Sequence, residues 1–395
     1  MSRFLIVVPP LAGHVLPAAG IGRELAARGH RVAWAGSEAV LRPLLGPEAE
    51  VLGTGSRLLR PQGGHGLAAL RSLWEKFIVP YARFTEKALD RAVLEFRPDV
   101  VLVDQHTPAG AIAAHRHGIA WASLAPGAME LGRPFRALPQ VERWMLDHLG
   151  GLWQRAGLPA AGFTDPRFSP ALVLALTGPA LTGPDPFPEH FALVGPVLTD
   201  RPAVPGFPWD RLEPGRRRIL LTMGTLADGV SADFHRRALR AVELCGTGPD
   251  RPQLVVAAAP ELLPGLPPDA VALERVPILE LLRRGQVDAV LCHGGMNTVG
   301  ESLSHGVPVV AAPIRHDQPF VAAQLAASGA GLRVPFPRVG PPGLAVALRR
   351  ALDDPGLRAA AVRVGGSLRA NGGAGAAVDR LEALAPGSAA GIPLV

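Results

Sequence analysis

The sequence contains little cysteine, lysine and tyrosine. Among its 395 residues are two cysteines, Cys245 and Cys292, and one tyrosine. Its lysines are Lys76 and Lys87. Two cysteines so far apart in the chain provide neither a disulfide framework nor the ligand spacing of a metal site. We therefore expect a protein of a reducing compartment, and we predict no metal site.

Long apolar runs are missing as well. Hydrophobic residues make up 48% of the chain, but no segment provides the roughly 20 consecutive apolar residues that a membrane span requires. The N-terminal MSRFLIVVPP is apolar over the length of one strand, and no small-residue cleavage site follows it, which argues against a secretory signal. We expect a cytoplasmic protein without a membrane span.

The net charge of +6 raises the question of a nucleic-acid partner. Arginines are spread along the chain, and the densest cluster, Arg216 to Arg218, directly precedes a strand-like run. A dispersed basic charge suits a phosphorylated small ligand as well as it suits nucleic acid. We expect no nucleic-acid binding.

Apolar runs of strand length alternate with helical segments along the chain. RFLIVVP, HRVAWAG and DVVLVD in the first half are followed by RILLTMG, PQLVVAAA, VDAVLCHGG and GVPVVAAP in the second. Such continuous runs indicate strands that are buried on both faces, as in parallel sheets covered by helices. The sequence predicts an α/β protein with two Rossmann-like, doubly wound domains.

A proline- and glycine-rich stretch, Gly195 to Gly215, separates the two halves and is typical of a linker. We predict an N-terminal domain over residues 1–200, a linker over 201–215 and a C-terminal domain over 216–375. A C-terminal helix and tail follow over 376–395, and the sequence leaves their packing open.

Two polar residues in the first half follow strand-like runs. His14 lies in the loop predicted for Pro9 to Pro17, and Asp104 directly follows VVLV. A carboxylate beside an imidazole fixes its tautomer and stabilises the imidazolium, which allows the histidine to activate a hydroxyl. The alternatives are a loop histidine that bonds a neighbour and an aspartate that caps the next helix. His106 is a weaker competitor for the same role.

The second half carries a possible anion site at His293 to Asn297, HGGMN, where a strand turns into a helix. Glycines at a helix N-terminus expose unpaired amides, and the helix dipole favours negative charge. His293 can donate to a phosphate oxygen, and Glu301 can present a carboxylate to ribose hydroxyls. Neither a Walker A sequence nor a dinucleotide fingerprint is present, which weakens the P-loop and dehydrogenase interpretations.

The segment from His293 to Gln318, HGGMNTVGESLSHGVPVVAAPIRHDQ, resembles the donor-binding signature of family 1 glycosyltransferases of the GT-B fold. That signature has a strand-end His-x-Gly-x-Asn-Ser/Thr, then Glu, Gly-Val-Pro and Asp/Glu-Gln. GHVLP, VVLVD and LLTMGT are similar to further landmarks of the family, in the same order. The resemblance implies two Rossmann-like domains that face each other across a cleft. It is strongest to actinobacterial enzymes that act on antibiotics, macrolides and other natural products.

The resemblance also implies roles for individual residues. His14 is the general base and Asp104 its orienting partner. In much of the family a Trp-Val-Pro-Gln element stacks on uracil, whereas this chain has Arg275-Val-Pro-Ile, so the choice between uridine and thymidine stays open. The implied donor-binding residues are Thr225, His293, Gly295, Asn297 and Thr298 at the diphosphate, Glu301 at the ribose, Asp317 and Gln318 at the sugar, and Arg275 and Val276 at the base.

Large apolar side chains are concentrated in the first half, and no tryptophan follows Trp209. The family shapes its acceptor pocket in the stretches that correspond to Leu70–Ala88 and Met129–Trp153. Ordinary core packing is the alternative explanation for each of these side chains. The predicted acceptor-binding residues are Trp74, Phe77, Met129, Phe135 and Trp144.

Together these features predict an inverting, metal-independent hexosyltransferase. We expect it to move a sugar from a TDP- or UDP-sugar to a hydroxyl, or to an aromatic carbon, of a small apolar natural product. The nucleotide sugar is a co-substrate, and no further cofactor is expected. Alternatives are a UDP-glucose-dependent enzyme for a carotenoid, lipid or macrolide, a GT-B-like sugar-nucleotide epimerase, and an inactive donor-binding subunit. A homodimer and an activating partner protein are left open.

Overall fold

A computed structural model describes residues 1–55, 66–128, 131, 135, 138–183, 185–224 and 232–386. Over this part of the chain the protein divides into two compact units. The first comprises Met1–Gly178, Asp185–Arg201 and the chain from Asn371 onward, and the second comprises Pro202–Ala370 with a short segment that begins at Pro179. The segment predicted as a linker, 201–215, begins where the first unit gives way to the second.

A seven-stranded sheet forms the centre of the first unit. Its strands are β1 (Arg3–Val7), β2 (Arg31–Gly36), β3 (Glu50–Gly53), β4 (Val100–Asp104), β5 (Ala120–Ala125), β6 (Val173–Ala175) and β7 (Phe191–Leu193). They lie in the order β3-β2-β1-β4-β5-β6-β7, and all neighbours are parallel. Every residue of β4 is buried, as expected for a strand covered by helices on both faces.

Helices cover both faces of this sheet, and one of them contains a widened turn. Trp74–Ile78 forms a π-helix between two α-helices. Pro80 has no N–H for the carbonyl of Lys76 and its ring would clash with that carbonyl in a regular α-helix, which favours the wider turn. The helices of this part are α1 (Ala12–Ala27), α2 (Glu38–Leu45), α3 (Gly66–Leu73), α4 (Val79–Phe96), α5 (Pro108–Arg116) and α6 (Pro139–Arg155).

The second unit contains a six-stranded parallel sheet. Its strands are β8 (Arg218–Thr222), β9 (Gln253–Ala257), β10 (Val271–Leu273), β11 (Ala289–Cys292), β12 (Val309–Ala311) and β13 (Gly331–Arg333). The order β10-β9-β8-β11-β12-β13 is that of a Rossmann sheet. The predicted α/β class with two parallel-sheet domains is confirmed.

The helices of the second unit connect these strands. They are α7 (Ala232–Glu243), α8 (Ile278–Arg283), α9 (Met296–Ser304), α10 (Gln318–Ala327), α11 (Pro341–Asp353) and α12 (Pro355–Ala370). None of the helices in the described parts of either unit combines the length and the apolar character needed to cross a bilayer.

A last helix, α13 (Gly373–Leu384), belongs to the first unit. Its buried face, which includes Ala377 and Leu381, joins the core cluster that contains Ile21 of α1. Arg28, just after α1, bonds the carboxylate of Asp379 at 2.6 Å. Apolar burial together with this ion pair explains why the helix docks there, a point that the sequence left open.

Each sheet reverses its strand order at one point, between β1 and β4 in the first unit and between β8 and β11 in the second. In doubly wound sheets, ligands bind outside the carboxyl ends of the strands at such a point. Val7 is paired with Val103, so the residues after β1 and at the end of β4 reach the same edge. The predicted functional residues can therefore be compared with two specific places in the fold.

Candidate functional site

His14 and Asp104 lie together at the reversal point of the first sheet. Nδ1 of His14 is 2.8 Å from Oδ2 of Asp104. The Asp104 side chain is fully buried, whereas 19% of the His14 side chain is exposed. The predicted loop from Pro9 to Pro17 is shorter than expected because α1 already begins at Ala12, so that His14 lies in its first turn.

This arrangement gives the two imidazole nitrogens of His14 different roles. With Asp104 ionised, the carboxylate accepts a hydrogen bond from Nδ1–H, and Nε2 is the unprotonated nitrogen of the neutral ring. An imidazole held in this tautomer can take a proton at Nε2, and the buried carboxylate stabilises the resulting cation. The geometry thus fits a base and its orienting partner.

Asp104 is itself fixed by the turn that follows β4. The backbone N–H of His106 donates to Oδ1 of Asp104 at 2.9 Å. The backbone N–H and the hydroxyl of Thr107 both donate to the Asp104 carbonyl, at 2.8 and 2.7 Å. The turn also brings the His106 ring against that of His14, with centroids 4.7 Å apart. A second imidazole therefore lies beside the dyad.

Two of the predicted acceptor residues are core residues of the first unit. Trp74 and Phe77 are 1% and 0% exposed and lie in the π-helix. Phe77 stacks on Tyr81, with centroids 5.8 Å apart. Burial raises the pKa of Tyr81 to about 12, and the Asp104 charge adds to this effect, so the phenol stays protonated near neutral pH. Trp74 and Phe77 are thus packed in the core, and their role towards an acceptor stays a prediction.

The other acceptor predictions have more varied surroundings. Trp144 is half-buried and packs edge-on against Trp74, with centroids 6.2 Å apart. Phe135 is partly buried against the same core cluster. Met129 lies outside the residues that the structure describes. The ring of His148, which the sequence analysis did not consider, lies 4.9 Å from that of Trp144. The two residues have i,i+4 spacing on α6, which places them on one face of that helix.

In the second unit, His293 follows β11 at the reversal point of the sheet, and two glycines enclose its ring. A Cβ on Gly224 would lie 2.9 Å from Cε1 of His293, and one on Gly295 would lie 2.5 Å from Nε2. Gly224 and Gly294 have positive φ angles of 79° and 82°, which side chains other than glycine rarely adopt. The glycines are required both by the turn and by the volume of the imidazole.

His293 is a neutral hydrogen-bonding group. Burial, with a smaller contribution from the Arg315 cation, lowers the pKa of His293 to about 4, although a hydrogen bond to the Thr222 backbone opposes the shift. Its Nδ1 atom is buried, and no group in the described part of the chain bonds it. A buried polar atom without a partner costs about 1–3 kcal/mol, which a ligand oxygen or a water can offset.

The turn at Gly294 leads into α9, whose first turn carries Asn297 and Thr298, both half-buried. Gly295 caps this helix and has no side chain to bond the first-turn amides. These amides and the helix dipole form a region that favours an anion. Glu301 lies in the second turn and is only 4% exposed.

The loop before α10 is folded around the side chain of Gln318. Its Oε1 atom accepts hydrogen bonds from the backbone N–H groups of Ile314 and Arg315, both at 2.9 Å. His316 has a φ of 56°, an uncommon conformation that this loop stabilises. Gln318 thus holds the loop through its oxygen, while Asp317 occupies the N-cap position of α10 and is half-buried.

Arg315 was not among the predicted residues, although it lies inside the 293–318 segment. Its residue is 4% exposed, and burial lowers the pKa of its guanidinium below the ordinary value. Its electrostatic effect on His293 places a cation in the neighbourhood of the α9 N-terminus. The signal in the sequence is an arginine inside the predicted phosphate-binding segment, since guanidinium groups pair well with phosphate.

The remaining residues predicted to bind the donor lie outside the N-terminal turn of α9. Arg275 is exposed and Val276 is 9% exposed, in the loop between β10 and α8. This loop follows the carboxyl end of β10, so it lies at the same edge of the parallel sheet as His293. Thr225 lies outside the residues that the structure describes.

Comparisons with known proteins agree with this architecture. Residues 253–384 match the family described as erythromycin biosynthesis protein CIII-like, C-terminal domain. The chain is 29% identical to 4'-demethylrebeccamycin synthase of Lentzea aerocolonigenes, over 97% of this chain and 99% of that protein. It is 27% identical to zeaxanthin glucosyltransferase of Pseudescherichia vulneris, over 85% and 86%.

A solved structure shows the same fold over the whole length. The crystal structure of the glycotransferase of kitacinnamycin superposes with a TM-score of 0.77 and 26% identity, and the match covers 98% of this chain and 99% of that one. The resemblance predicted from residues 293–318 is confirmed. The chain is therefore similar to actinobacterial antibiotic glycosyltransferases and shares their GT-B fold, and its residues 253–384 match the erythromycin biosynthesis protein CIII-like C-terminal domain.

Proposed function

We propose that the chain is an inverting glycosyltransferase that moves a sugar from a thymidine or uridine diphosphate sugar to a hydroxyl of a small apolar natural product. The observation that carries this proposal is the 2.8 Å contact between His14 and the fully buried Asp104 at the reversal point of the first sheet. This pair supports proton removal from a hydroxyl, which is the step that an acceptor needs in order to become a nucleophile.

The proposed reaction is a single displacement. Nε2 of His14 takes the proton of the acceptor hydroxyl while its oxygen bonds the anomeric carbon of the donor. The bond between that carbon and the diphosphate breaks, and its electron pair leaves with the diphosphate. Attack from the face opposite the leaving group inverts the anomeric configuration. Asp104 stabilises the imidazolium that forms and keeps Nδ1 protonated throughout.

The donor half of the proposal rests on the second unit. Negative charge grows on the departing diphosphate, and preorganised N–H groups aimed at such charge lower the barrier. The first-turn amides of α9 with Asn297 and Thr298 suit this role, and the Arg315 cation adds to it. His293 contributes a hydrogen bond rather than a charge, because its lowered pKa keeps it neutral. Glu301 is assigned to the ribose, and Asp317 with Gln318 to the sugar.

The acceptor half rests on the first unit, on Trp74, Phe77, Phe135 and Trp144. Two of these are core residues, so we assign direct contact with the acceptor to the half-buried Trp144 and Phe135. Trp74 and Phe77 belong to the core cluster against which these two side chains pack. An apolar, partly aromatic acceptor fits side chains of this kind.

The test compares His14→Ala with a matched variant, His117→Ala. His117 also belongs to the first unit and pairs with a carboxylate, its Nε2 lying 3.2 Å from Oδ1 of Asp90. Sugar transfer from TDP- and UDP-sugars to a panel of phenolic and macrolide acceptors would be followed by mass spectrometry. We expect His14→Ala to lower kcat by roughly 100-fold or more, with unchanged affinity for TDP or UDP in calorimetry. Near-normal turnover of His14→Ala would refute the assignment of His14 as the general base.

A second candidate is a glucosyltransferase that acts on a carotenoid. The likeness to zeaxanthin glucosyltransferase favours it. UDP-glucose with zeaxanthin is therefore a separate arm of the acceptor panel. Product in that arm alone would select the second candidate, and product with the other acceptors alone would select the first.

A further inference from the structure

Three ligand-bearing side chains converge at the reversal point of the first sheet. His14, Asp104 and His106 each offer one nitrogen or oxygen atom, and these atoms all lie within 4.8 Å of one another. Among the histidine, cysteine and acidic residues in the described part of the chain, these three have the spacing to hold a metal ion.

The donor set has a clear chemical preference. Two imidazoles and one carboxylate suit zinc, copper and nickel, whereas Mg²⁺ and Ca²⁺ prefer oxygen ligands alone. Bonds of about 2.0–2.1 Å to a tetrahedral zinc ion set its ligand atoms roughly 3.4 Å apart. The three atoms lie within 4.8 Å of one another, so they must approach by at most about 1.4 Å to reach this spacing.

The backbone of β4 and of the turn after it positions Asp104 and His106. Asp104 ends the fully buried β4, and the turn that follows presents His106 with its backbone N–H bonded to Oδ1 of Asp104. The rings of His14 and His106 are inclined at 38° with centroids 4.7 Å apart. The His14 side chain is 19% exposed, which gives an ion access from solvent.

We propose that His14, Asp104 and His106 form a binding site for a divalent transition-metal ion, and that the bound ion inhibits the enzyme. The inhibitory part rests on the proposed function of His14 as the base. An ion shared by Asp104 and Nδ1 of His14 displaces the proton from Nδ1, and the neutral ring then carries its proton on Nε2. An ion on Nε2 occupies the lone pair directly. In both cases His14 cannot take a proton from the acceptor.

Zinc binding is measured by calorimetry on the full chain without an affinity tag, with ZnCl₂ as the probe and MgCl₂ as the control ion. We expect one zinc ion per chain. His106→Asn should weaken zinc binding by about tenfold or more, since even partners outside the coordination sphere alter metal affinity by 10–100-fold. His117→Asn, which removes a histidine outside the cluster, should keep the affinity of the wild type.

Sugar transfer is then measured against zinc concentration, with each variant normalised to its own metal-free rate. Inhibition of the wild type should follow the binding curve and should shift to higher zinc in His106→Asn. Absence of a zinc site, or equal zinc affinity of His106→Asn and the wild type, would overturn the proposal. Should His106→Asn fail to fold, NMR of the wild type decides, because zinc must shift the imidazole signals of His14 and His106 together.

The two proposals fail separately. A chain that binds zinc at this site but transfers no sugar without metal refutes the proposed function and leaves the metal site intact. A chain that transfers sugar but binds no zinc refutes the metal site and leaves the proposed function intact.

Discussion

Two adjacent glycines in α12, Gly365 and Gly366, have very different surroundings, and this difference leads to a quantitative prediction. A Cβ on Gly365 would lie 1.7 Å from the carbonyl oxygen of Leu303 and 3.0 Å from Cα of Ser304. Both atoms are backbone of α9 and cannot rotate away. A Cβ on Gly366 would meet no atom within 4 Å. Gly365 is therefore the position where α12 packs directly on the helix that carries Asn297 and Thr298.

The expected energies follow from two opposing effects. Replacing glycine by alanine inside a helix stabilises it by about 0.8–1 kcal/mol, and this applies to both positions. Overpacking costs about 1–3 kcal/mol, and the backbone contact at Gly365 favours the upper end. We expect Gly366→Ala to be more stable than the wild type by about 1 kcal/mol and Gly365→Ala to be less stable by about 2 kcal/mol.

Urea unfolding followed by circular dichroism measures the free energies, and hydrogen exchange of the 296–304 peptide locates the change. Gly365→Ala should speed exchange in α9 and weaken TDP or UDP binding, whereas Gly366→Ala should do neither. Equal stability of the two variants would refute the close packing of α12 on α9.

Two further predictions concern His293. Gly295→Ala would place a Cβ 2.5 Å from Nε2 of His293, so we expect it to lower nucleotide affinity in calorimetry by about tenfold or more. Gly343→Ala, where a Cβ would meet only Val339 at 3.6 Å, is the control. Equal nucleotide affinities of the two variants would contradict the close enclosure of the His293 ring by Gly295. Burial lowers the pKa of His293 from 6.5 to about 4. Between these two pH values the unfolded chain binds a proton at His293 that the folded chain does not bind. The contribution of neutral His293 to the free energy of unfolding is therefore lost as pH falls from about 6.5 towards 4. The difference in unfolding free energy between wild type and His293→Asn should therefore be larger at pH 7 than at pH 4.5, and a difference independent of pH would contradict this.

The sequence predicts well the fold class and which residues lie at the carboxyl ends of the strands, because these depend on local patterns. The apolar runs around Val103 and Leu291 are continuous, and strands of that kind are buried on both faces. Since parallel strands end at one edge, residues after β1 and β4 must approach each other. The contact between His14 and Asp104 follows from that rule.

Other features depend on contacts that are distant in sequence, and the sequence pattern does not contain them. The ring of His106 lies on that of His14 because of a turn set by the Asp104 side chain. Gly224 and Gly295 enclose His293 only after two separate strands have paired. The docking of α13 beside α1 likewise requires the folded first unit.

The most direct test of the central claim is the rate of sugar transfer by His14→Ala, Asp104→Ala and the double variant, each with its fold checked by circular dichroism. If Asp104 acts only through His14, its loss costs less than the loss of His14, and the double variant is as slow as His14→Ala within about twofold, because residues that act as a unit are not additive. Losses that multiply in the double variant, or a loss for Asp104→Ala equal to or larger than that for His14→Ala, would contradict the account and make Asp104 the better candidate for the base.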